Sequence, residues 1–132
     1  MDRLFLDANV IFSAAYRPNS GLLRFWKLKS AALCSSHYAV EEARINLTEE
    51  AQRRRLASLT RQLPLFDAIR QELPSAVSLP DKDVPIMLAA MNARATHLIT
   101  GDIRHFGPHL GRKVGDILVL TPAAYLAGTE GS

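Results

Sequence analysis

Apolar residues occur along the chain in short continuous runs, which alternate with segments where they recur every three or four positions. The runs at 3–6, 31–35, 76–79, 97–100 and 116–120 predict β-strands, because a short apolar run bounded by turn residues suits a buried strand. The intervening segments predict α-helices over 8–15, 22–28, 38–45, 48–63, 65–73, 84–95 and from 122 onward. This alternation predicts an α/β fold, a three-layer sandwich in which helices flank a central, mainly parallel β-sheet.

The predicted helices differ in polarity, and the difference predicts where they lie. The segment 84–95 is almost wholly apolar and tolerates Pro85 in its first turn, so we expect it to be buried. The segment 48–63 is polar and basic with leucines on one face, and a proline follows both it and the short helix 65–73. We expect this second pair of helices to project outward.

The length of 132 residues fits one domain, which we predict over residues 1–127, with 128–132 as a flexible C-terminal tail. Hydrophobic residues make up 48% and charged residues 22%, a balance typical of a globular protein. No apolar run approaches the roughly 20 residues that span a bilayer, and Asp2 stands where a signal peptide needs a basic lead. The single cysteine, Cys34, excludes an internal disulfide and suits a reducing cytosol. We therefore expect a cytoplasmic protein without a membrane partner.

Basic residues outnumber acidic residues by 16 to 13, which gives a net charge of +3 and a sequence pI near 9.4. If four acids gathered in one metal site, the rest of the chain would carry 16 basic residues against nine acidic ones and would attract a polyanion. A run of charge is usually a solvated helix face, and an RNA-facing surface is the alternative interpretation of one arginine group. Its members are Arg44, Arg53, Arg54, Arg55 and Arg61.

Four acidic residues lie where a parallel sheet places its ligand site. Asp7 and Asp102 come just after apolar strands, whereas Glu42 and Asp83 lie near the beginnings of helices. Ligands of open parallel sheets bind outside the carboxyl ends of the strands, so acids far apart in sequence could converge there. Clustered carboxylates repel one another unless a cation neutralises them, and hard oxygen ligands favour Mg²⁺ or Mn²⁺. Such a centre activates water and stabilises charge on a phosphate, which is the chemistry of a nuclease.

Some of these acids also have a purely structural interpretation. Asp7 could serve only as a helix N-cap, and Asp102 could be an ordinary turn residue after Gly101. A further acid, Asp116, begins the last predicted strand, so we expect it at the opposite edge of the sheet.

Two of the four positions have an acidic neighbour that competes for the same role. Glu41 and Glu42 are not separated by composition, since either could face solvent. Asp81 and Asp83 both precede the helix at 84–95, so the residues alone leave this choice open as well.

Four separated blocks of sequence resemble one known family. They are LFLDANVIFSA at 4–14, SSHYAVEEA at 35–43, DKDVPIMLAAMNA at 81–93 and LITGDIRHFG at 98–107. In order and spacing they are similar to the PIN-domain nucleases, which include the VapC-like toxins of toxin–antitoxin pairs and the PilT N-terminus type. The resemblance covers nearly the whole chain, from the first strand to the closing TPAAYL segment.

The resemblance implies a PIN-like fold whose acidic cluster binds the metal and carries the catalysis. The positions that match this cluster are Asp7, Glu42, Asp83 and Asp102. The family spacing thus selects Glu42 and Asp83, with Asp81 as the second choice for its position. Asn9 and Thr100 match the polar neighbours that the family usually carries.

The sequence departs from the family pattern just beyond Asp102. Many relatives carry another acid or an asparagine a few residues on, whereas here Ile103, Arg104 and His105 follow. This departure leaves the ligands of a second metal ion open. Arg104 and His105 are candidate phosphate contacts, although a histidine before Phe106 more often packs or forms hydrogen bonds.

We therefore expect a divalent-metal-dependent ribonuclease that uses Mg²⁺ or Mn²⁺ and cleaves RNA. The resemblance also implies a toxin of a toxin–antitoxin pair, with a small antitoxin protein as partner, and a homodimer. The alternative is a catalytically silent PIN-like module that binds RNA or protein. An aspartyl-phosphate phosphatase is a weaker alternative, because it needs a second aspartate where Asn9 stands. A serine hydrolase is weaker still, because the chain has no Gly-x-Ser-x-Gly motif.

Overall fold

A computed structural model describes residues 1–75 and 77–129, and a five-stranded sheet forms its centre. The strands are β1 (Asp2–Leu6), β2 (Ala31–Cys34), β3 (His97–Ile99), β4 (Lys113–Val114) and β5 (Ile117–Leu120). Their order across the sheet is β2-β1-β3-β5-β4, and all neighbours are parallel except β4 and β5. The mixed α/β class and the mainly parallel sheet are confirmed, and the three-layer arrangement stays a prediction.

The register of the sheet aligns the carboxyl ends of its central strands. Leu6 of β1 lies opposite Ile99 of β3, and Ile99 lies opposite Leu120 of β5. The residues that follow these positions continue the ladder, because the amide of Asp7 donates to the Ile99 carbonyl at 3.0 Å. Asp7 and Thr100 therefore leave the sheet side by side.

Helices connect the strands, and most of them begin and end near the predicted positions. The α-helices are α1 (Ala8–Tyr16), α2 (His37–Asn46), α3 (Glu50–Thr60), α4 (Val84–Asn92), α5 (Ile103–Phe106) and α6 (Pro122–Thr129). Short 3₁₀ helices cover Gly21–Lys27, Asp81–Asp83 and Gly107–His109. The predicted helix at 22–28 is thus a 3₁₀ helix rather than an α-helix. Helix α1 packs against α2 and α3, and α2 also packs against α4.

The core lies around β1 and α4. Consecutive residues Leu4, Phe5 and Leu6 are all completely buried, which explains why β1 is a continuous apolar run rather than an alternating one. In α4, Ile86 and Met87 are buried as the apolar pattern predicts.

The predicted helix at 65–73 is wrong, and the predicted strand at 76–79 is also wrong for 77–79. The amide of Ser35 donates to the Pro64 carbonyl at 3.1 Å, and the amide of Phe66 donates to the Ser35 carbonyl at 2.9 Å. These hydrogen bonds hold 64–66 extended beside the end of β2, so the backbone there cannot form a helical turn. Ala76 lies outside the described residues.

Helix α3 does not project outward as its polarity predicted. Its Gln52 and Leu56 are buried against the rest of the protein. The Gln52 side chain donates to the Tyr16 carbonyl at 3.3 Å, and Nε of Arg55 donates to the Ala15 carbonyl at 2.9 Å. Because the last carbonyls of a helix lack partners within it, polar side chains of α3 stabilise the end of α1.

Two further predictions concern the C-terminal tail and the single cysteine. Gly128 and Thr129, the first two residues of the predicted tail, belong to α6. The other three, 130–132, lie outside the described residues. Cys34 is buried, and this burial raises the pKa of its thiol to about 11. Within 1–75 and 77–129, no helix has the length and apolar character needed to cross a bilayer. The single domain over 1–127 stays a prediction.

Candidate metal centre

A cleft of about 400 Å³ lies beside the carboxyl ends of β1 and β3. All four acids that the sequence singles out line this cleft: Asp7, Glu42, Asp83 and Asp102. They come from the end of β1, from α2, from the start of α4 and from the start of α5. The structure thus brings together four carboxylates that are widely separated in sequence.

Asp7 is the most tightly held of these acids. Its Oδ1 accepts the amide of Ala8 at 2.7 Å, so it is indeed the N-cap of α1. Its Oδ2 accepts the hydroxyl of Thr100 at 2.8 Å and the side-chain amide of Asn9 at 3.2 Å. Burial raises the pKa of the Asp7 carboxyl to about 6, although the hydrogen bonds from Thr100 and Ala8 oppose the shift. The N-cap role and a ligand role are therefore compatible in one side chain.

Asn9 and Thr100 join the ends of β1 and β3. Oδ1 of Asn9 accepts the amide of Gly101 at 2.7 Å, and Oγ1 of Thr100 accepts the amide of Asp102 at 3.0 Å. A Cβ atom on Gly101 would lie 3.2 Å from Oδ1 of Asn9, closer than ordinary van der Waals contact. Asn9 and Thr100 therefore orient Asp7 and the turn that leads to Asp102.

The structure separates Glu42 from Glu41. Glu41 is exposed and forms a two-point ion pair with Arg44, at 2.5 and 2.9 Å. This hydrogen-bonded pair lowers the pKa of the Glu41 carboxyl. Glu42 is half-buried and lines the cleft. Burial raises the pKa of Tyr38. The nearby carboxylates raise this pKa further, and Glu42 has the largest effect among them.

The structure also separates Asp83 from Asp81. Asp83 is 7% exposed and lines the cleft, whereas Asp81 is exposed at the start of the preceding 3₁₀ turn. Burial raises the pKa of the Asp83 carboxyl, and the nearby charge of Asp102 adds to the rise while His105 opposes it. Of the two acids, Asp83 is therefore the one whose carboxylate lines the cleft.

Asp102 and His105 form one turn at the start of α5. Oδ1 of Asp102 accepts the amide of His105 at 3.0 Å and so caps the helix. Nδ1 of His105 lies 2.8 Å from Oδ2 of Asp102 and 2.8 Å from Oδ2 of Asp83. The imidazole thus stands between two carboxylates of the cleft.

His105 is the residue whose position sequence reasoning did not foresee. Its spacing of three residues from Asp102, at the start of a helix, was the available signal, because residues three apart share a helix face. Arg104, the other candidate phosphate contact, is exposed and does not line the cleft.

The atoms of the cleft suit a divalent cation. Carboxylate oxygens are the preferred ligands of Mg²⁺ and Mn²⁺. Two buried atoms, Oδ2 of Asp83 and Nδ1 of His105, make no properly angled hydrogen bond within the described part of the chain, although they are in contact. Oxygen or nitrogen atoms of Asp83, Asp102 and His105 all lie within 4.8 Å of one another. A cation held by these atoms would satisfy them and offset the repulsion between the acids.

The other charged candidates have different environments. Asp116 lines a separate cavity with Thr96, which precedes β3, so it lies at the opposite edge of the sheet, as expected. Arg53 donates to the Leu47 carbonyl at 2.8 Å, and Arg54 pairs with Glu50. Together with the contacts of Arg44 and Arg55, these bonds give most of the arginine group structural roles within the chain.

No protein-family model matches the chain, and no curated protein matches it. The fold is similar to that of VapBC2 from Rickettsia felis, solved bound to a DNA fragment from its promoter, with a TM-score of 0.67 and 15% identity. That match covers 90% of this chain and 98% of the other. FitAcB from Neisseria gonorrhoeae matches with a TM-score of 0.53 and 18% identity, over 91% of this chain and 98% of the other. At these identities the similarity shows the fold alone.

The identification of the chain as a PIN-domain nuclease is contradicted by these comparisons. The similar structures are antitoxin–toxin complexes, and no family model for such a nuclease matches. The four sequence blocks have a physical explanation in the fold, because each contributes residues to the same cleft, from a strand end, a helix start or the middle of α2. What fold and site define is a mixed α/β protein with a carboxylate cleft.

Proposed function

We propose that this chain is a divalent-metal-dependent endoribonuclease that acts in a toxin–antitoxin pair. The observation that carries the proposal is the convergence of four carboxylates in one cleft, with Asp7 and Asp83 buried there. Burying acids side by side is unfavourable in the absence of a cation, and their raised pKa values reflect this. A stable fold that retains such an arrangement is well explained by a bound metal ion.

Four carboxylates would hold the cation: Asp7, Glu42, Asp83 and Asp102. When bound, the metal supplies activation of water and stabilisation of charge on the phosphate. Thr100 and Asn9 keep Oδ2 of Asp7 directed at the cleft, through the hydrogen bonds described above. Lys82 also lines the cleft and offers a positive charge that can pair with a phosphate oxygen of the substrate.

The proposed substrate is RNA, held by charge outside the cleft. With the four acids in the metal centre, basic residues greatly exceed the remaining acids. Such an excess favours association with a polyanion and makes binding depend on salt concentration. The partner proposed from the two similar complexes is a small antitoxin protein that covers the cleft or its approach, and the proposed assembly of the chain is a homodimer.

A second candidate is a non-catalytic component of such a complex, similar in role to an antitoxin. The observation that favours it is that both similar structures are antitoxin–toxin complexes, one of them bound to promoter DNA. This candidate predicts DNA binding without metal binding, and it leaves the clustering of the acids without a role.

The test is cleavage of structured and single-stranded RNAs, with DNA oligonucleotides in parallel, in Mn²⁺, in Mg²⁺ and in EDTA. The purified chain should cleave RNA only with a divalent ion. Asp7→Asn and Glu42→Gln should each lower the rate by about 100-fold or more, since each removes a negatively charged ligand.

Glu41→Gln is the matched control, because Glu41 is the adjacent acid but points to Arg44. It should retain wild-type activity. Any cleavage that remains in Glu42→Gln then reports contaminating ribonuclease. Equal activity of all variants, or cleavage that persists in EDTA, would refute the proposal. DNA binding with no metal binding would favour the second candidate.

A further inference from the structure

We propose that His105 is a nitrogen ligand of the metal centre and makes it selective for a first-row transition-metal ion, such as Mn²⁺, over Mg²⁺. This inference rests on the proposed metal centre but adds a residue to it. None of the four acids supplies nitrogen, so the inference changes the chemical class of the ion that the site takes.

The spacing of the atoms fits a single metal ion. Nδ1 of His105 lies 2.8 Å from one carboxylate oxygen of Asp83 and 2.8 Å from one of Asp102. Adjacent ligands on one octahedral ion with bonds of about 2.1 Å lie about 3 Å apart. The three atoms are therefore spaced as neighbours in one coordination shell.

The burial of these atoms also favours a cation. Oδ2 of Asp83 and Nδ1 of His105 are both buried, and neither makes a properly angled hydrogen bond with the residues described. The Asp83 side chain is only 10% exposed, so water reaches it poorly. Buried polar atoms that lack well-aligned hydrogen bonds are costly, and a shared cation satisfies both at once.

The turn at the start of α5 orients the histidine. Asp102 uses Oδ1 to cap α5 through the amide of His105, which leaves Oδ2 directed at the imidazole. The same turn thus fixes the backbone of His105 and the second oxygen of Asp102. Phe106, the next residue, is completely buried and anchors the turn to the core.

The metal preference follows from the type of ligand. Imidazole nitrogen suits first-row transition-metal ions, whereas Mg²⁺ takes oxygen ligands and keeps several waters. A site with one nitrogen and several carboxylates therefore gains affinity for Mn²⁺ from the histidine and gains little for Mg²⁺. The opposing interpretation is that His105 is only a structural ion-pair partner of the two acids.

The experiment measures Mn²⁺ coordination directly, independent of activity. Electron spin-echo envelope modulation of the Mn²⁺-loaded protein should show ¹⁴N coupling, which His105→Asn should abolish. Isothermal titration should show that His105→Asn raises the Kd for Mn²⁺ by about tenfold or more, and the Kd for Mg²⁺ by less than about threefold. Thermal unfolding of the variant checks that it folds.

His109→Asn is the control, because His109 contacts the Ser78 carbonyl away from the cleft, and it should retain both the coupling and the affinity. Mn²⁺ binding without ¹⁴N coupling in the wild type, or equal loss of affinity for both ions, would overturn the inference and leave the nuclease proposal standing. Nitrogen-coordinated Mn²⁺ without cleavage of any RNA would support the inference and count against the nuclease. Absence of all metal binding would overturn both.

Discussion

Asp7 is the residue at which the conflict between folding and function is clearest. Its carboxyl is buried, and the pKa of about 6 lies well above the ordinary value of 3.8. A raised carboxyl pKa means that the fold prefers the protonated form, so the favourable contribution is complete below about pH 4 and is lost as the pH rises through 6. At neutral pH the metal-free protein therefore carries an ionised side chain that destabilises it.

This conflict predicts that Asp7→Asn stabilises the metal-free protein. At one pKa unit per 1.36 kcal/mol, the gain at pH 8 is at most about 3 kcal/mol, because asparagine keeps the N-cap role but not the charge. The gain should shrink towards zero below about pH 3, where Asp7 is protonated in both states. Urea unfolding in EDTA at several pH values measures it. A variant no more stable than the wild type at pH 8 would contradict this prediction.

At the scale of elements, α3 stabilises the end of α1 in a way that sequence polarity hides. Its basic face predicts a solvated or RNA-facing surface, but Arg55 donates to the carbonyls of Ala15 and Tyr16. Arg54, the preceding residue, forms an exposed pair with Glu50 on the same helix. Adjacent arginines of one charge run therefore have different roles.

The two arginines predict different stabilities for matched variants. Arg55→Met should lower the free energy of unfolding by about 1–2 kcal/mol, because it removes the Arg55 donor from the Ala15 carbonyl, whereas Gln52 still donates to the Tyr16 carbonyl. Arg54→Met should change it by less than about 0.5 kcal/mol, as is usual for an exposed pair. Chemical denaturation of both variants makes the comparison. Equal effects would contradict the role assigned to α3.

The elements also show where sequence patterns suffice and where they fail. The run at β1 and the apolar α4 are local signals, and the structure confirms both of them. The segment 65–73 has a helical pattern, yet hydrogen bonds to Ser35, about 30 residues earlier in the chain, hold its beginning extended. Local periodicity contains no information about such a distant partner, so this part could not be predicted.

At the scale of the whole molecule, the strand order brings the residues of the site together. Because β1 and β3 are parallel neighbours, Asp7 and the turn before Asp102 meet although they are far apart in sequence. The rule that ligands bind at the carboxyl ends of parallel strands was enough to predict the convergence of the four acids. The residues alone leave Glu41 and Glu42 open, and the structure separates them because Glu41 pairs with Arg44 whereas Glu42 lines the cleft. The position of His105 between two acids required the structure.

The most direct test of the central claim is an anomalous diffraction measurement on crystals of the chain grown with MnCl₂. We expect an anomalous peak in the cleft, within bonding distance of carboxylate oxygens from Asp83 and Asp102. An ordered cleft without a peak, at a Mn²⁺ concentration that supports cleavage, would contradict it. So would Mn²⁺ bound only at other positions on the chain.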